Sequence, residues 1–566
     1  MRCFTSCRPA GATAVAAAAF TMISVSAFGQ SGQFSLSAAV QTAASQLAGD
    51  QQASGPVRPL SVEEATRLAL EQNLGIRIQR IDPQIQDVGV SQAQSFWSPQ
   101  FNSSVFRQSQ TAAATSSLAG AANSIDNATF GSQVGLNQTL PWGGNYLASW
   151  NSQRFTTTNL FNSFSPLLSS NISLQYTQPL LRNLAIDQIR QQVQNSKKTR
   201  ELSDIQLQSV ITQTMRNVKN AYWDLSYTIA NLKAQQQSLA LSQQSVRDNQ
   251  RRVEIGTMAP IDIVQAQAEV ASNEQGVIIA EANIRTAQDN LRALILDPGA
   301  PDFWTVSFDP TDAPAFAAQA IDVDAAVRTA LDQRSDIKSA KNSLEQSDIN
   351  IRYFRNQILP DVNAQVNYIG RGIGGTQLES LTQDQILSGI TSRTTVSTRN
   401  FGSVLGDVFQ NQYPDWTVGV AIGYPIGTST QHANLARSRL QYEQAQAQVK
   451  NLEMIVATQV RAVARNVQTN QQRVRSAGAS RELQERKLEA EEKKFAAGMS
   501  TTFFVFQAQR DLSAARVAEI QAISDYNKSL VDFEAVQLVP ITGNGVQITI
   551  AGTGAIQTGG TAIIRQ

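Results

Sequence analysis

The sequence predicts a mainly α fold: long coiled-coil columns with β-strand inserts at one end, built as a two-fold internal repeat. Three observations predict it. A glycine turn recurs in "RRVEIGTMAPIDIVQAQAEV" from Arg251 and "KKFAAGMSTTFFVFQAQRDL" from Lys493. A proline-free run from Asn183 to Gly256 carries apolar residues at heptad spacing. After Pro99 and after Pro360 the pattern changes from helical to alternating. The two turns lie about 240 residues apart, far beyond the period of an ordinary solenoid. They divide the chain into halves over about 60–300 and 321–540, joined by a linker over 301–320.

The chain opens with Arg2 and Arg8 ahead of a short Ala-rich apolar run that ends in small residues before Gln30. This predicts a secretory signal peptide over 1–29. Cys3 and Cys7, both cysteines of the chain, fall inside it and precede the apolar run. Neither stands where a lipoprotein cysteine should, so the exported chain would have no disulfide, thiolate site or lipid anchor. Residues 30–59, rich in Ser, Ala, Gln and Gly, read as a flexible lead-in. Ser61 then caps a helix, with Glu64 three residues later. The same start returns from Ile321, where Ala326, Ala330 and Leu331 match Ala65, Ala69 and Leu70. These helices, over about 61–95 and 322–357, run into "SFWSPQF" and "NQILPDV".

Beyond each proline come strands. Val362, Ala364, Val366 and Tyr368 alternate with Asn363, Gln365 and Asn367. Trp416, Val418, Val420, Ile422 and Tyr424 alternate with Thr417, Gly419, Ala421 and Gly423. Each strand therefore has one apolar face and one small or polar face. The inserts cover about 100–180 and 361–426, and the Gly/Ser/Thr/Asn-rich stretch 371–414 reads as a long loop. The first insert carries an extra hairpin over about 131–158, with Gly143-Gly144 at its turn. Such strands fit an outer-membrane sheet or a small soluble β subdomain. Four strands, or six with the hairpin, are too few to close a membrane barrel, which begins at about eight. An open edge has no backbone partners in lipid, so membrane strands here would need several chains to close one barrel.

The long helices follow. Ile211, Met215, Val218, Tyr222, Leu225, Ile229 and Leu232 advance by alternating steps of four and three, a left-handed coiled-coil seam. Leu239, Val246 and Val253 continue one position of each heptad, and Gln236, Gln243 and Gln250 take the other. Val456, Val460, Val463, Val467 and Val474 form the corresponding stripe. A helix of some 70 residues is about 105 Å long. Long helices over about 184–255 and 430–497 run to the glycine turns, and shorter ones over about 261–296 and 503–537 return. No later segment has the ~20 unbroken apolar residues of a membrane helix. Residues 541–566 read as a disordered tail, whose "GTGAIQTGG" precedes no helix that would hold phosphate.

Composition narrows the function. Lys and Arg number 46 against 45 for Asp and Glu, which gives no electrostatic basis for nucleic-acid binding. Only 16% of residues are charged, a sparsely charged polar surface that suits a water-filled lumen or a mutual interface. The one histidine, His432, stands near a helix start and reads as an exposed helix residue. No Cys/His cluster has metal-ligand spacing, and no nucleophile has a base beside it. No catalytic residue, metal site or cofactor is expected.

The two-fold repeat, the proline breaks into strands, the re-entries at Gln178-Pro179-Leu180 and Tyr424-Pro425-Ile426, and the paired glycine turns carry a resemblance. Over about 60–540 the chain resembles the TolC-like outer membrane efflux proteins. The resemblance implies a homotrimer, with about twelve β-strands closing one barrel in outer membrane lipid and the helices forming a tunnel across the periplasm, an α-helical barrel. It implies that the turn residues Gly256, Thr257, Met258, Gly498, Met499 and Ser500 meet a periplasmic adaptor protein and an inner-membrane pump or secretion ATPase. Family members can carry an aspartate six residues after each turn glycine, at the narrow end. Asp262 stands there after Gly256, whereas Phe504 takes the place after Gly498, and Gln507 three residues later is uncharged. Asp262, Phe504 and Gln507 are therefore the candidate gate or lumen residues. Asp262 also reads as a first-turn acid stabilised by the helix dipole after Pro260, and Phe504 as a residue packed between helices. The implied function is a passive exit duct of a tripartite efflux or type I secretion system. The alternative is a coiled-coil fibre or surface adhesin, which needs neither alternating aromatic strands nor paired turns.

Overall fold

The computed structural model describes residues 57–113, 124–312 and 316–537, apart from 383, 386, 387, 389, 391 and 428. The expected signal peptide with Cys3 and Cys7, residues 30–56 of the lead-in, and the C-terminal tail lie outside the described residues.

Strand β1 (Val57–Leu60) leads into helices α1 (Val62–Gln72) and α2 (Leu74–Gln94). Ser61 Oγ accepts the Glu64 N–H at 3.1 Å, the expected cap. The Glu64 carboxylate turns away from the cap and pairs with Arg58 at 2.9 Å. The opening helix, expected to be continuous, is broken at Asn73, which is extended at φ −61° and ψ 121°. Asn73 restarts the helix by accepting the Ile76 N–H, and its side-chain amide donates to the Leu294 carbonyl at 2.9 Å. Arg334 makes the same one-residue break between α5 (Val323–Gln333) and α6 (Ser335–Gln357).

The long helices α3 (Gln188–Glu254) and α8 (Thr430–Ala496) have 67 residues each, about 100 Å at 1.5 Å per residue. α4 (Ile261–Ile295) and α9 (Thr502–Gln537) return from their lower ends. Ile211, Met215, Val218, Tyr222 and Leu225 are buried as the heptad seam requires. Val218, Tyr222 and Leu225 pack with Ala65, Leu68 and Ala69 of α1 and Leu291 and Ile295 of α4. In the other column Val456 and Val460 meet Ala326, Ala330 and Ile337, while Val467 and Val474 meet Ala522 and Tyr526. Below Leu232 the seam shifts: Ala234, Ser242 and Asn249 are buried, and Leu239, Val246 and Val253 are only half-buried. Small side chains let the helices approach there, which an apolar heptad count does not register.

The linker is held by strand pairing and by two tyrosine hydroxyls. β1 pairs in parallel with β6 (Ser307–Pro310). The Tyr222 hydroxyl lies 3.1 Å from both the Leu60 carbonyl and an Asp312 carboxylate oxygen, and accepts the Asp312 N–H. Burial of this tyrosine is the main reason its pKa is pushed up to about 12. Tyr526 of α9 likewise donates to the Ala317 carbonyl at 2.7 Å.

The strands of the two inserts form one antiparallel sheet. Its order is β2 (Gln100–Ala113), β3 (Ser124–Thr139), β4 (Asn145–Thr157), β5 (Phe164–Pro179), β7 (Asp361–Leu378) and β9 (Tyr413–Gly423). The short β8 (Thr395–Arg399) pairs with the far end of β7. The extra hairpin is β3–β4 and is built into the sheet, turning at Gly143 with φ 92°. Six long strands thus come from one chain, where a trimer of about twelve would take four from each.

The expected long loop 371–414 is largely structured. β7 continues to Leu378, and a short helix α7 (Phe401–Phe409) lies on it, burying Val404 and Val408. The glycines that suggested a loop are clearance for this helix. A Cβ at Gly372 would lie 2.1 Å from the Val404 carbonyl oxygen, and one at Gly374 would lie 2.5 Å from Val404 Cγ2.

Candidate functional site

Two regions are the candidates for function: the faces of the sheet and the turns at the opposite end of the helices. Residues paired across an antiparallel ladder share a face. One row runs Phe101, Leu136, Ala148, Leu174, Tyr368, Trp416 across all six strands. Its neighbours on the opposite face are Asn102, Gly135, Ser149, Ser173, Ile369 and Asp415. The alternation read in two strands therefore holds across the sheet, with one apolar face and one mainly small and polar face. On the polar face Ser149 Oγ and Ser173 Oγ lie 2.6 Å apart. Four of the six side chains in the apolar row are solvent-exposed on this single chain, from Leu136 at 37% to Trp416 at 70%, an area that needs a non-aqueous neighbour. No helix among the described residues is long and apolar enough to cross a membrane.

At the other end the two turns share one backbone mechanism. Gly256 has φ 76° and Gly498 has φ 75°. The Gly256 N–H donates to the Val253 carbonyl and the Thr257 N–H to Arg252, both at 2.9 Å. The second turn repeats this, with Gly498 on Phe495 at 3.0 Å and Met499 on Lys494 at 2.8 Å. Both are Schellman caps, which require the left-handed residue that glycine supplies without strain. Thr257 and Met499 are exposed; Met258 and Ser500 are half-buried. Ser500 Oγ donates to Glu491 at 3.0 Å. Hydrogen bonds from Lys494 and Ser500 hold the Glu491 carboxyl below its ordinary value.

The fold brings the turns together. Thr502 Oγ1 donates to Asp262 Oδ1 at 3.0 Å, joining the starts of α9 and α4. Asp262 is also the acid in the first turn of α4, where the helix dipole favours a negative charge. The Arg252 guanidinium lies 4.6 Å over the Phe495 ring, and Arg510 approaches Glu269 at 3.9 Å. Phe504 is half-exposed, edge-on to Phe503 at 5.5 Å, and Gln507 is exposed. Neither is buried between the helices of this chain. Thr502, Arg252 and Phe495 are partners that the sequence pattern does not single out, since no local spacing links the two turns. Ile255, Ile261, Met499 and Phe503 add exposed apolar surface around the tips.

A family model described as outer membrane efflux protein matches residues 145–295 and 326–536. No curated protein matches the chain in sequence. Among solved structures, the chain is similar to the CmeC outer membrane channel of Campylobacter jejuni, with 16% identity and a TM-score of 0.56 over 84% of this chain and 85% of that one. The outer membrane protein VceC of Vibrio cholerae gives 15% identity and a TM-score of 0.57 over 84% and 95%. The open state of the MtrE outer membrane channel of Neisseria gonorrhoeae gives 16% and 0.55 over 84% and 88%. At these identities the likeness speaks for the fold, and the family match covers most of both helical columns. The chain belongs to the outer membrane efflux protein family, and it is an outer-membrane channel for efflux, neither an enzyme nor a fibre.

Proposed function

We propose that three copies of the chain form the passive exit duct of a tripartite efflux or type I secretion system. The observation that carries this reading is the sheet: an apolar face continuous over six strands, with a free edge at β2 and another at β9. Unpaired backbone groups at such an edge cost several kcal/mol each in hydrocarbon, so other copies must cover both edges. The helices then form a tunnel about 100 Å long across the periplasm. A two-fold internal repeat, with halves over 60–300 and 321–540, is supported by paired helix lengths. These are 11 and 11 residues for α1 and α5, 67 and 67 for α3 and α8, and 35 and 36 for α4 and α9.

The turn residues Gly256, Thr257, Met258, Gly498, Met499 and Ser500 dock the adaptor protein and the inner-membrane pump or secretion ATPase, which supplies the energy. Asp262, Phe504 and Gln507 line the narrow end, with the Asp262–Thr502 bond holding the two hairpins of one chain together. Cells expressing the full chain should yield heat-resistant trimers in the outer-membrane fraction. Recovery as a monomer, or in a wash of the cell exterior, would sink the reading.

A further inference from the structure

We infer that the barrel closed by three copies has eighteen strands, six from each chain, and is therefore wider than the barrel of about twelve that the family resemblance implied. This rests on the trimeric reading above and concerns what each copy contributes. The sheet order is β2-β3-β4-β5-β7-β9, and every neighbouring pair is antiparallel. Strand directions therefore alternate, and β9 runs opposite to β2. When β9 of one copy meets β2 of the next, the seam is antiparallel like every other pairing, and the ring closes without a defect.

Strands β2 and β3 are full members of this wall. β3 is paired along its length with β2 on one side and with β4 on the other. Their faces also match their neighbours'. Phe101 and Leu136 lie in the apolar row, and Asn102 and Gln133 lie on the polar face. The far limit of the apolar band agrees as well: Arg107 of β2 and Arg154 of β4 flank Phe130 of β3 in one row on the apolar side. Arginines at that level suit the headgroup boundary; one mainly serine row, Val105, Ser132, Ser152 and Ser170, separates them from the apolar rows. A flap outside the membrane would need no such band. The two free edges are also comparable, 14 residues in β2 and 11 in β9, long enough to cross the hydrocarbon when tilted.

Barrel diameter grows roughly linearly with strand number, so eighteen strands give about 1.5 times the diameter of a twelve-stranded wall. Electron cryomicroscopy of the purified full-length trimer counts the strands directly. Eighteen are expected, and any other number in a trimeric particle overturns the proposal. A particle that is not trimeric overturns the trimeric reading itself, a separate result. The seam has its own test. Ser103→Cys is combined in turn with Trp416→Cys, Val418→Cys, Val420→Cys and Ile422→Cys, in a chain whose native cysteines are only Cys3 and Cys7. One combination should give covalent trimers under oxidation. Ala148→Cys with the same four should give none, because β3 occupies that edge of β4. Cross-linking from Ala148 and not from Ser103 would place β2 and β3 outside the barrel.

Discussion

Gly256 and Gly498 are required by backbone angle and not by crowding, since a Cβ added at either would meet nothing within 4 Å. Their φ values of 76° and 75° cost an L-residue roughly 1–2 kcal/mol, and a β-branched residue more. Gly256→Val and Gly498→Val should distort the tips while the proposed trimer still reaches the outer membrane. Cellular accumulation of an efflux dye should rise. Unchanged accumulation with both variants would reduce the turns to simple chain reversals. Tyr222 gives a second test at this scale. Its pKa is raised from 10.0 to about 12, chiefly by burial, so the folded chain keeps the phenolic proton longer than the unfolded chain. Its contribution to stability is full below about pH 10 and is lost as pH rises through about 12. Tyr222→Phe should weaken the protein at pH 8 by about 1 kcal/mol, the net value of a hydrogen bond. It should also shrink the fall in thermal stability between pH 8 and pH 11. An undiminished fall would assign the alkaline loss to other groups.

Between elements, what the sequence discloses depends on whether the determinant is local. The seam through Val218, Tyr222 and Leu225 is legible because one amphipathic period writes it and one partner surface reads it. The breaks at Asn73 and Arg334 are not, because a single extended residue between two helices leaves the apolar pattern on either side recognisable. The pairing of β1 with β6 joins segments some 250 residues apart through short strands without a pattern of their own. At the candidate site Asp262 is legible from Pro260 and the turn glycine, but Thr502 lies 240 residues away and is found only in the folded chain. The stretch 371–414 misleads for a related reason: glycine spacing on β7 is set by Val404, which lies on a different element. This can be tested. Gly372→Ala places a methyl against the Val404 carbonyl, where no side-chain rotation relieves the clash. Overpacking of this kind costs about 1–3 kcal/mol, and α7 should lift from β7. Limited proteolysis of intact trimers should then cut within 379–412 faster than in the parent protein. Equal cleavage would mean that the helix re-seats on the strand.

For the whole molecule, the decisive property is that the sheet has two unlike faces, and the proposed barrel turns the apolar one to lipid. Val420 and Gly419 are adjacent on β9, a strand exposed along its whole length in the single chain, so they point to opposite sides. Val420 pairs with Ala364, on the side of Val362, Val366 and Trp416; Gly419 pairs with Gln365, on the side of Asn363 and Asn367. An added Cβ at Gly419 meets nothing within 4 Å, so an arginine there extends into open space. If the apolar side faces lipid, Val420→Arg should destabilise the assembly by about 2–4 kcal/mol near the bilayer midplane, because its guanidinium must reach water or carry it into the hydrocarbon. Gly419→Arg should instead leave trimer yield nearly intact and add one positive charge per copy to the lumen, shifting single-channel selectivity toward anions. The comparison controls for strand propensity, since both variants place the same side chain on the same strand one residue apart. Trimer yield from the outer-membrane fraction and reversal potential across a planar bilayer are the two readouts. Equal tolerance of both arginines would show that neither face meets lipid. The opposite order, with Gly419→Arg harmful and Val420→Arg tolerated, would turn the barrel inside out.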